Sequence, residues 1–367
     1  MHSEETPRFT HFSCQSQKVT VASTFEGLLT DQPEQSPETN SLKADAWWLD
    51  ICDASEEDVN VVGQALSIHP LTAEDIVTRE TREKIETFRN YYLISFQTLR
   101  SAKEGIDLRR IKSLTTEPHT IPDSAGFYIL VFKNAVVTFS PSGCNHVSRV
   151  LDRIRRMQDP ATLSSEWICY ALIDDIIDSF GPYMRAAERD CDAIEDQVFM
   201  ARVDDVKTLI PLVDRLHKSI TQLTNLLSGK NDVINGFVKR CQAKSQNAVF
   251  PKGEMIVYLG DVQDHLVTTL TSLSHFDEIV GRSQANFLAQ MSVNNIRLSL
   301  SINEILSKVT VLASIFVPLH TITGLWGMNV QVPGQDAEGL AWFFGIVGCF
   351  VAFVVVCCFI ASRLKLL

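Results

Sequence analysis

Two long stretches without a charged side chain stand close together near the C-terminal end of the sequence, and they constrain the fold more than any other feature. The first covers the 27 residues between Lys308 and Asp336 and opens with VTVLASIFVPLHTITGLW (309–326); the second covers 24 residues, Gly339 to Ser362. About 20 apolar residues in helical form cross a hydrocarbon core of about 30 Å, so both runs are long enough to span a membrane. The competing explanation, a pair of buried core helices, asks a water-soluble domain to hold two such runs joined by only a short polar loop. Positive charge brackets the pair: Arg297 and Lys308 precede it, Arg363 and Lys365 follow it, and the loop from Gly327 to Gly339 holds neither Lys nor Arg. Both termini are therefore expected in the cytosol, with Asp336 and Glu338 of the loop on the outer side. The expected spans are 308–326 and 340–362, with an outer loop at 327–339 and a basic tail at 363–367. No apolar core of a signal peptide occurs in the first thirty residues, so cleavage of a leader is not expected.

The remainder divides by texture. Residues 1–45 are rich in Ser, Thr, Gln, Pro and Glu and lack periodicity, which predicts a flexible tail. From Trp47 onward, WWLDI (47–51), YYLISFQTL (91–99), FYILVF (127–132) and AVVTFS (135–140) read as strands, with FKNAVV a tight hairpin. Helical spacing fills SEEDVNVVGQALSI (55–68), opened by Ser55 as an N-cap, and LTAEDIVT (71–78). The expectation for 46–144 is an α/β domain. From Asn145 to Trp326 no strand is legible, and apolar residues recur at three- and four-residue intervals, so 145–307 is expected to be all-helical. Within it, 166–205 carries eleven Asp/Glu against three Arg, which a solvated helix face explains. From about Glu254 the pattern continues into the first span with no proline before Pro318; some 70 residues would form a stalk of roughly 100 Å.

Composition narrows the function. Lys and Arg number 33 against 44 Asp and Glu, a net charge of −11. Phosphate recognition needs a basic footprint, and no cluster of five or more Lys/Arg exists, so nucleic acid is not an expected partner and cations are favoured. The nine cysteines are scattered and never spaced CxxC, which indicates neither a disulfide framework nor a structural zinc site. On the stalk, a three–four spacing selects Asn303, Leu306, Thr310, Ala313, Val317, His320 and Gly324, a half-polar stripe. Lipid penalises its polar members, so a bundle of identical helices would turn them toward a common aqueous axis; ordinary helix packing through small and polar residues also accounts for the stripe. A neighbouring phase through Ser307, Thr310, Ser314, Val317, Thr321 and Gly324 shares three positions with it.

At the outer end of the stripe stands Gly327-Met328-Asn329, where the first span should emerge. GMN after a proline-containing apolar helix, with one further span and a short basic tail, resembles the CorA family of magnesium channels. NEILSKVTVLASIFVPLHTITGLWGMN (303–329), DVQDH (261–265), HPLTAED (69–75), WICYALIDDIID (167–178) and RLKLL at the end support the likeness over about 46–367. The loop GMNVQVPGQD (327–336) is most similar to the fungal Alr branch.

The resemblance implies a funnel-shaped homopentamer embedded in lipid, the first span lining a pore, the second around it, and the stalk helices continuing into a cytosolic funnel with the α/β domain at its periphery. It implies a channel passing hydrated Mg²⁺ down its electrochemical gradient into the cytosol, gated by intracellular Mg²⁺. It makes Gly327, Met328 and Asn329 the selectivity filter, Asn329 forming the ring that first meets the ion. Mg²⁺ sheds its waters reluctantly, and five amide oxygens can hold it through its hydration shell. Asn303, Thr310 and Gly324 then line the pore as polar positions, while Leu306, Val309 and Val317 form an apolar constriction that gates by dewetting. His320 departs from the family, which commonly has a small hydroxyl residue there; its imidazole accepts from hydrated Mg²⁺ when neutral, repels it when protonated, or bonds between helices. Asp336 and Glu338 would concentrate cations at the mouth, or are solvated loop acids. The first Asp of DVQDH, Asp261, matches a family position that senses cytosolic Mg²⁺ between protomers. Asp264 lies three residues on, and Glu104 is the nearest candidate partner from the α/β domain.

Other classes remain. A Zn²⁺ transporter of the same superfamily shares motif and architecture, and Co²⁺, Ni²⁺ and Mn²⁺ are further candidate ions. Asp261, Asp264, His265, His275, Asp277 and Glu278 mix ligand types as a membrane-anchored metallohydrolase would, yet His265 and His275 fall on different helix faces and no HExxH pattern accompanies them. A coiled-coil membrane anchor explains the stalk but not Asn329. No nucleophile–base pair, phosphate-cradling glycine loop or cofactor motif is present, so neither enzymatic activity nor an organic cofactor is expected. A divalent ion gains roughly 4 to 5 kcal/mol per 100 mV moving inward, which suffices without ATP. Plasma and vacuolar membranes fit the topology equally.

Overall fold

The computed structural model describes residues 8–14, 16–25, 27, 46–100, 121–157, 163–200, 205–242, 254–334 and 339–363. The chain forms two compact units, Met1–Gln284 and Ala285–Leu367.

The first unit is built on seven strands: β1 (Phe9–Ser13), β2 (Val19–Ala22), β3 (Trp47–Cys52), β4 (Lys84–Thr87), β5 (Tyr91–Leu99), β6 (Ser124–Phe132) and β7 (Ala135–Ser140). They lie in the order β2-β1-β3-β7-β6-β5-β4, with β3 and β7 parallel and every other pair antiparallel. All nine residues of β5 are buried, so helices cover both faces of the sheet there. The alternation of side chains assigns the faces. Tyr91 and Leu93, with Leu130, Val137 and Ile51, join Val59 and Val62 of α1 (Glu56–Leu66) and Ile76 of α2 (Pro70–Thr78) in one core. Tyr92 and Phe96 point the other way. Tyr92 meets Phe237 of α6 (Val206–Gln242) at 5.3 Å between ring centres, and α4 (Ser165–Asp178) lies against β6 and β7. α3 (His146–Arg155) and α5 (Gly181–Met200) complete the helices before α7 (Glu254–Trp326), which begins in this unit and ends in the second, where α8 (Ala341–Arg363) follows. Because α4 and α6 rest on the sheet, residues on either side of 144 share one core.

Local chemistry sets the helix ends. The Ser55 hydroxyl accepts from the Asp58 N–H at 3.2 Å while the Asp58 carboxylate accepts from the Ser55 N–H at 3.0 Å, a reciprocal cap on α1. His69 caps α2 through Nδ1, which accepts from the Leu71 N–H, and Pro70 opens the first turn. The hairpin between β6 and β7 turns through Lys133 and Asn134.

Two departures from expectation are informative. The flexible tail expected over 1–45 contains β1 and β2, which extend the sheet: Phe9 and Phe12 are fully buried, and Phe9–Ser13 pairs antiparallel with Trp47–Ile51. Averaged over 45 residues of polar composition, two short strands leave no periodic signal. The edge strand β4, half of whose four residues are charged, was equally silent.

β3 also buries a carboxyl. Asp50 is 5 % exposed and accepts hydrogen bonds from Thr138 (2.6 Å) and Ser140 (3.0 Å), while Trp48 Nε1 donates to the Thr138 hydroxyl. Burial pushes its pKa up from 3.8 to about 7, against the pull of the two hydroxyl bonds. The folded state therefore holds this proton more tightly than the unfolded chain. Stability from this group is complete below about pH 4 and declines as pH rises toward 7, a span that caps the effect near 4 kcal/mol. Asp50→Asn is expected to raise the melting temperature of the purified protein at pH 8 and to leave it nearly unchanged at pH 4.5. A drop at both values would contradict the assignment.

Candidate functional site

In the second unit the residues of the first uncharged run are almost wholly exposed on the single chain. Ile315 alone is buried among residues 309–326. α8 is barer still, with Ala361 its one buried residue and Phe343, Phe344 and Phe359 each more than half exposed. Apolar surface of this extent needs lipid or other protein over it, and α7 from its apolar end and α8 are both long and apolar enough to cross a membrane. At the foot of the first run Lys308 pairs with Glu304 at 2.9 Å, one turn away.

One side of α7 turns toward α8. Pro318, Leu319, Ile322 and Trp326 line an apolar cleft of about 770 Å³ with Trp342, Ile346, Phe350 and other residues of α8. At about 100° per residue these four positions and Ile315 fall within one narrow arc. The stripe Asn303, Leu306, Thr310, Val317, His320 and Gly324 centres about 180° from that arc, on the side α8 leaves bare, and all six residues are exposed. The alternative phase through Ser307, Ser314 and Thr321 centres some 130° away instead. Within the stripe the Thr310 hydroxyl is turned back onto the Leu306 carbonyl at 2.8 Å.

α7 ends by tightening: the Gly327 N–H donates to the Thr323 carbonyl at 3.0 Å, and the Met328 N–H to the Leu325 carbonyl. A Cβ at Gly327 would lie 3.3 Å from the Thr323 carbonyl oxygen, closer than side chains ordinarily sit. Asn329 follows directly and is exposed. It therefore stands just past a helix C-terminus, where unpaired carbonyls carry a partial negative charge of about half an electron. This electrostatic contribution was not read from the sequence, although the position of GMN after a 73-residue helix contains it. Farther on, Gly334 has φ +91° and lies on the Trp342 indole; a Cβ there would come within 2.6 Å of the ring. Asp336 and Glu338 lie outside the described residues, as does Glu104.

In the first unit Asp261 and Asp264 are exposed on α7, and neither has an ion-pair partner among the described residues. Asp261 faces α4: with burial, Asp174 and Asp261 all acting to raise it, the Tyr170 phenol sits above its ordinary pKa despite Arg153. Beside it Asp178 is raised by burial and by Asp174, with His265 opposing. Of the other metal-ligand candidates, Asp277 is taken by His217 of α6 at 2.9 Å. Among the described residues no group of three His, Cys, Asp or Glu is placed to hold a metal ion. Two buried polar clusters were not legible beforehand. Lys230 pairs with Glu83 at 2.6 Å. His146 joins Thr98 of β5 to Asp175, which also receives Arg149 at 2.8 Å; burial opposes ionisation of Asp175, yet these partners hold its pKa below the usual carboxylate value.

Comparison with known proteins gives a consistent result. A family model described as CorA-like Mg²⁺ transporter protein matches residues 43–361. A putative metal ion transporter of Schizosaccharomyces pombe is 40 % identical over 315 residues, 84 % of this chain and 49 % of that protein. The magnesium transporter ALR1 of Saccharomyces cerevisiae is 36 % identical over 394 aligned positions, 97 % of this chain and 44 % of that one. The chain thus spans about half the length of the curated relatives it matches. Among solved structures, the complete CorA magnesium transporter of Methanocaldococcus jannaschii superposes with a TM-score of 0.61 at 15 % identity, covering 99 % of both chains.

Proposed function

The chain belongs to the CorA-like Mg²⁺ transporter family, a membrane protein family of transporters rather than enzymes, and from that premise we propose that it conducts hydrated Mg²⁺ through a ring of five copies, from the outer side into the cytosol. The observation that carries the proposal is the division of α7 into two opposite faces. One faces α8 across the apolar cleft, and the other, bearing Asn303, Leu306, Thr310, Val317, His320 and Gly324, is left bare and half polar. Copies arranged about an axis cover that face with one another and enclose water.

In this arrangement Asn329 closes the outer end. Its amide oxygen and the carbonyl end of α7 present partial negative charge from every copy, enough to orient the waters of Mg²⁺ without a formal charge that would trap the ion. Asp336 and Glu338 raise the local cation concentration outside. Below, Thr310 and Asn303 hydrogen-bond passing waters, and Leu306 and Val317 with Val309 form the apolar gate. His320 lies on the same face, at the outer part of the stripe. The membrane potential drives entry. Both chain termini are cytosolic, in the plasma or the vacuolar membrane. Co²⁺, Ni²⁺ and Mn²⁺ are secondary substrates, and Zn²⁺ transport is the second reading.

Purified protein in liposomes held inside-negative tests the proposal: a Mg²⁺-sensitive dye inside should report uptake. Zn²⁺ uptake dependent on a proton gradient, without Mg²⁺ uptake, would replace it with the second reading.

Regulation follows from Asp261, with Asp264 and Glu104 as supporting acids. An ion held between protomers at Asp261 favours the closed state, and its loss leaves carboxylates that repel. In Asp261→Ala, inhibition of uptake by millimolar Mg²⁺ on the cytosolic side should weaken by roughly tenfold or more, the range of ordinary allosteric coupling. Inhibition unchanged from wild type would remove Asp261 from the sensor.

A further inference from the structure

The segment that carries Asn329 is fixed at its two ends. On the near side it leaves α7 through the bond from the Gly327 N–H to the Thr323 carbonyl. Met328, Asn329 and Val330 are all exposed, so burial of their own side chains does not hold them in place. On the far side Gly334 rests on Trp342, in the first turn of α8. A Cβ built at Gly334 would lie 2.6 Å from Cδ2 of the indole, 2.9 Å from Cγ and 3.0 Å from Cε2. Cδ2 carries no hydrogen and sits where the two rings fuse, so the backbone comes onto the face of the indole rather than its rim. Only a residue without a side chain approaches that closely, and the φ of +91° at Gly334 independently favours glycine. Pro333 before it has a restricted φ, which stiffens the approach.

Trp342 joins this contact to both helices. It lines the apolar cleft together with Trp326, the last residue of α7, and with Ile322 one turn before it. Trp326 ends the first apolar helix and Trp342 stands in the first turn of the second, so the two indoles mark the same end of the pair. Indoles favour the boundary between hydrocarbon and water, where an apolar body and a polar N–H are both satisfied. A loop seated on Trp342 is thereby set at one height relative to the lipid and to the end of α7.

We propose that Trp342 is a positioning residue for the ion filter: its indole braces Gly334 and so holds the Asn329 amide of each copy at a fixed place over the end of α7. The brace rests on the transport reading and deepens it, because what it sets is selectivity. Mg²⁺ keeps a rigid octahedral shell of waters, whereas Ca²⁺ takes a variable number of ligands in flexible geometry. Amides held at one spacing fit the first shell and not the second; amides on a slack loop adapt to either.

Initial uptake of Mg²⁺ and, separately, of Ca²⁺ into inside-negative liposomes, followed by indicator dyes over a range of concentrations, tests the brace. Trp342→Ala and Gly334→Ala should each raise the half-saturating Mg²⁺ concentration roughly tenfold and lower the ratio of Mg²⁺ to Ca²⁺ uptake by a similar factor, as when a metal-binding group loses its support. Trp342→Phe, which keeps a ring under Gly334, should stay within about twofold of wild type. Because both alanines break one contact, the double variant should do no more than the worse single. A merely structural role would lower the maximal uptake of both ions in proportion and leave half-saturation and the ratio where they are. That result in both alanine variants, beside a wild type that conducts Mg²⁺, would overturn the brace and leave the transport reading standing. A double variant showing the product of the two effects would also overturn it, since the residues would then act separately. If Trp342→Ala does not fold, Gly334→Ala and Trp342→Phe decide. A wild type without Mg²⁺ uptake would end the transport reading and the brace together.

Discussion

Asn329→Ala is expected to reduce Mg²⁺ influx into inside-negative liposomes to the leak of protein-free vesicles, a loss of about a hundredfold or more. The side chain is exposed in the single chain and contributes nothing to its core, so the melting temperature of the variant should match wild type. The effect falls wholly on conduction. In the proposed ring, one lost amide per chain removes every side-chain amide oxygen offered to the hydrated ion at the outer end. The carbonyl ends of α7 remain but cannot supply the geometry alone, because they point along the helix axis rather than across the opening. Asn329→Asp provides the counter-test. A ring of full charges holds the ion too long for rapid passage, so this variant should also conduct poorly while being blocked by lower concentrations of competing divalent ions. Influx through Asn329→Ala within twofold of wild type would refute the filter, whatever the wild-type rate.

The second large effect concerns stability. Lys230 is fully buried, 147 positions along the chain from Glu83, and bridges α6 to the start of β4; its ammonium also lies 4.9 Å from the centre of the Phe180 ring and donates to the Leu226 carbonyl. Burial lowers the Lys230 pKa and raises that of Glu83, each opposed by the partner. Removing one member strands the other, which typically costs about 3 to 5 kcal/mol. Lys230→Met should lower the melting temperature by about 10 °C, taking a few degrees per kcal/mol for a unit of this size. The double variant Lys230→Met/Glu83→Leu should recover most of that loss, since a matched apolar pair no longer carries an unpaired buried charge. A single variant melting within two degrees of wild type, or a double variant worse than both singles, would show that the pair is not what ties α6 to the sheet.

How much of this was legible beforehand depended on whether the signal was local. The two spans were, because uncharged length alone identifies them; so were β3, β5, β6 and β7, whose apolar runs are continuous, and the Ser55 cap with Asp58 three residues on. β1 and β2 were not, since their anchors Phe9 and Phe12 sit within a polar stretch and their pairing partner lies across a long gap in sequence. Glu83 and Lys230 each look like ordinary solvated charges until the fold joins them, and the same holds for His146 and Asp175. Asn329 was legible by its position after the span. The stripe below it could be drawn in two phases from periodicity; Pro318, Leu319, Ile322 and Trp326 line the cleft toward α8, and the phase through Asn303, Leu306 and His320 is the one proposed here because it lies more nearly opposite them. Asp261 was singled out by a string match; its proximity to Tyr170 arises only from the meeting of α4 with α7.

That bare face of α7 has a genetic corollary. In the proposed ring a single copy would own one wall of the conduit and no interior, so no copy would have a function that can be counted separately. In a cell making equal amounts of a sound chain and one that assembles but does not conduct, only about 3 % of five-membered rings are free of the faulty chain. Defects in the lining would therefore behave as dominant, while defects that prevent folding, by keeping faulty chains out of rings, would behave as recessive.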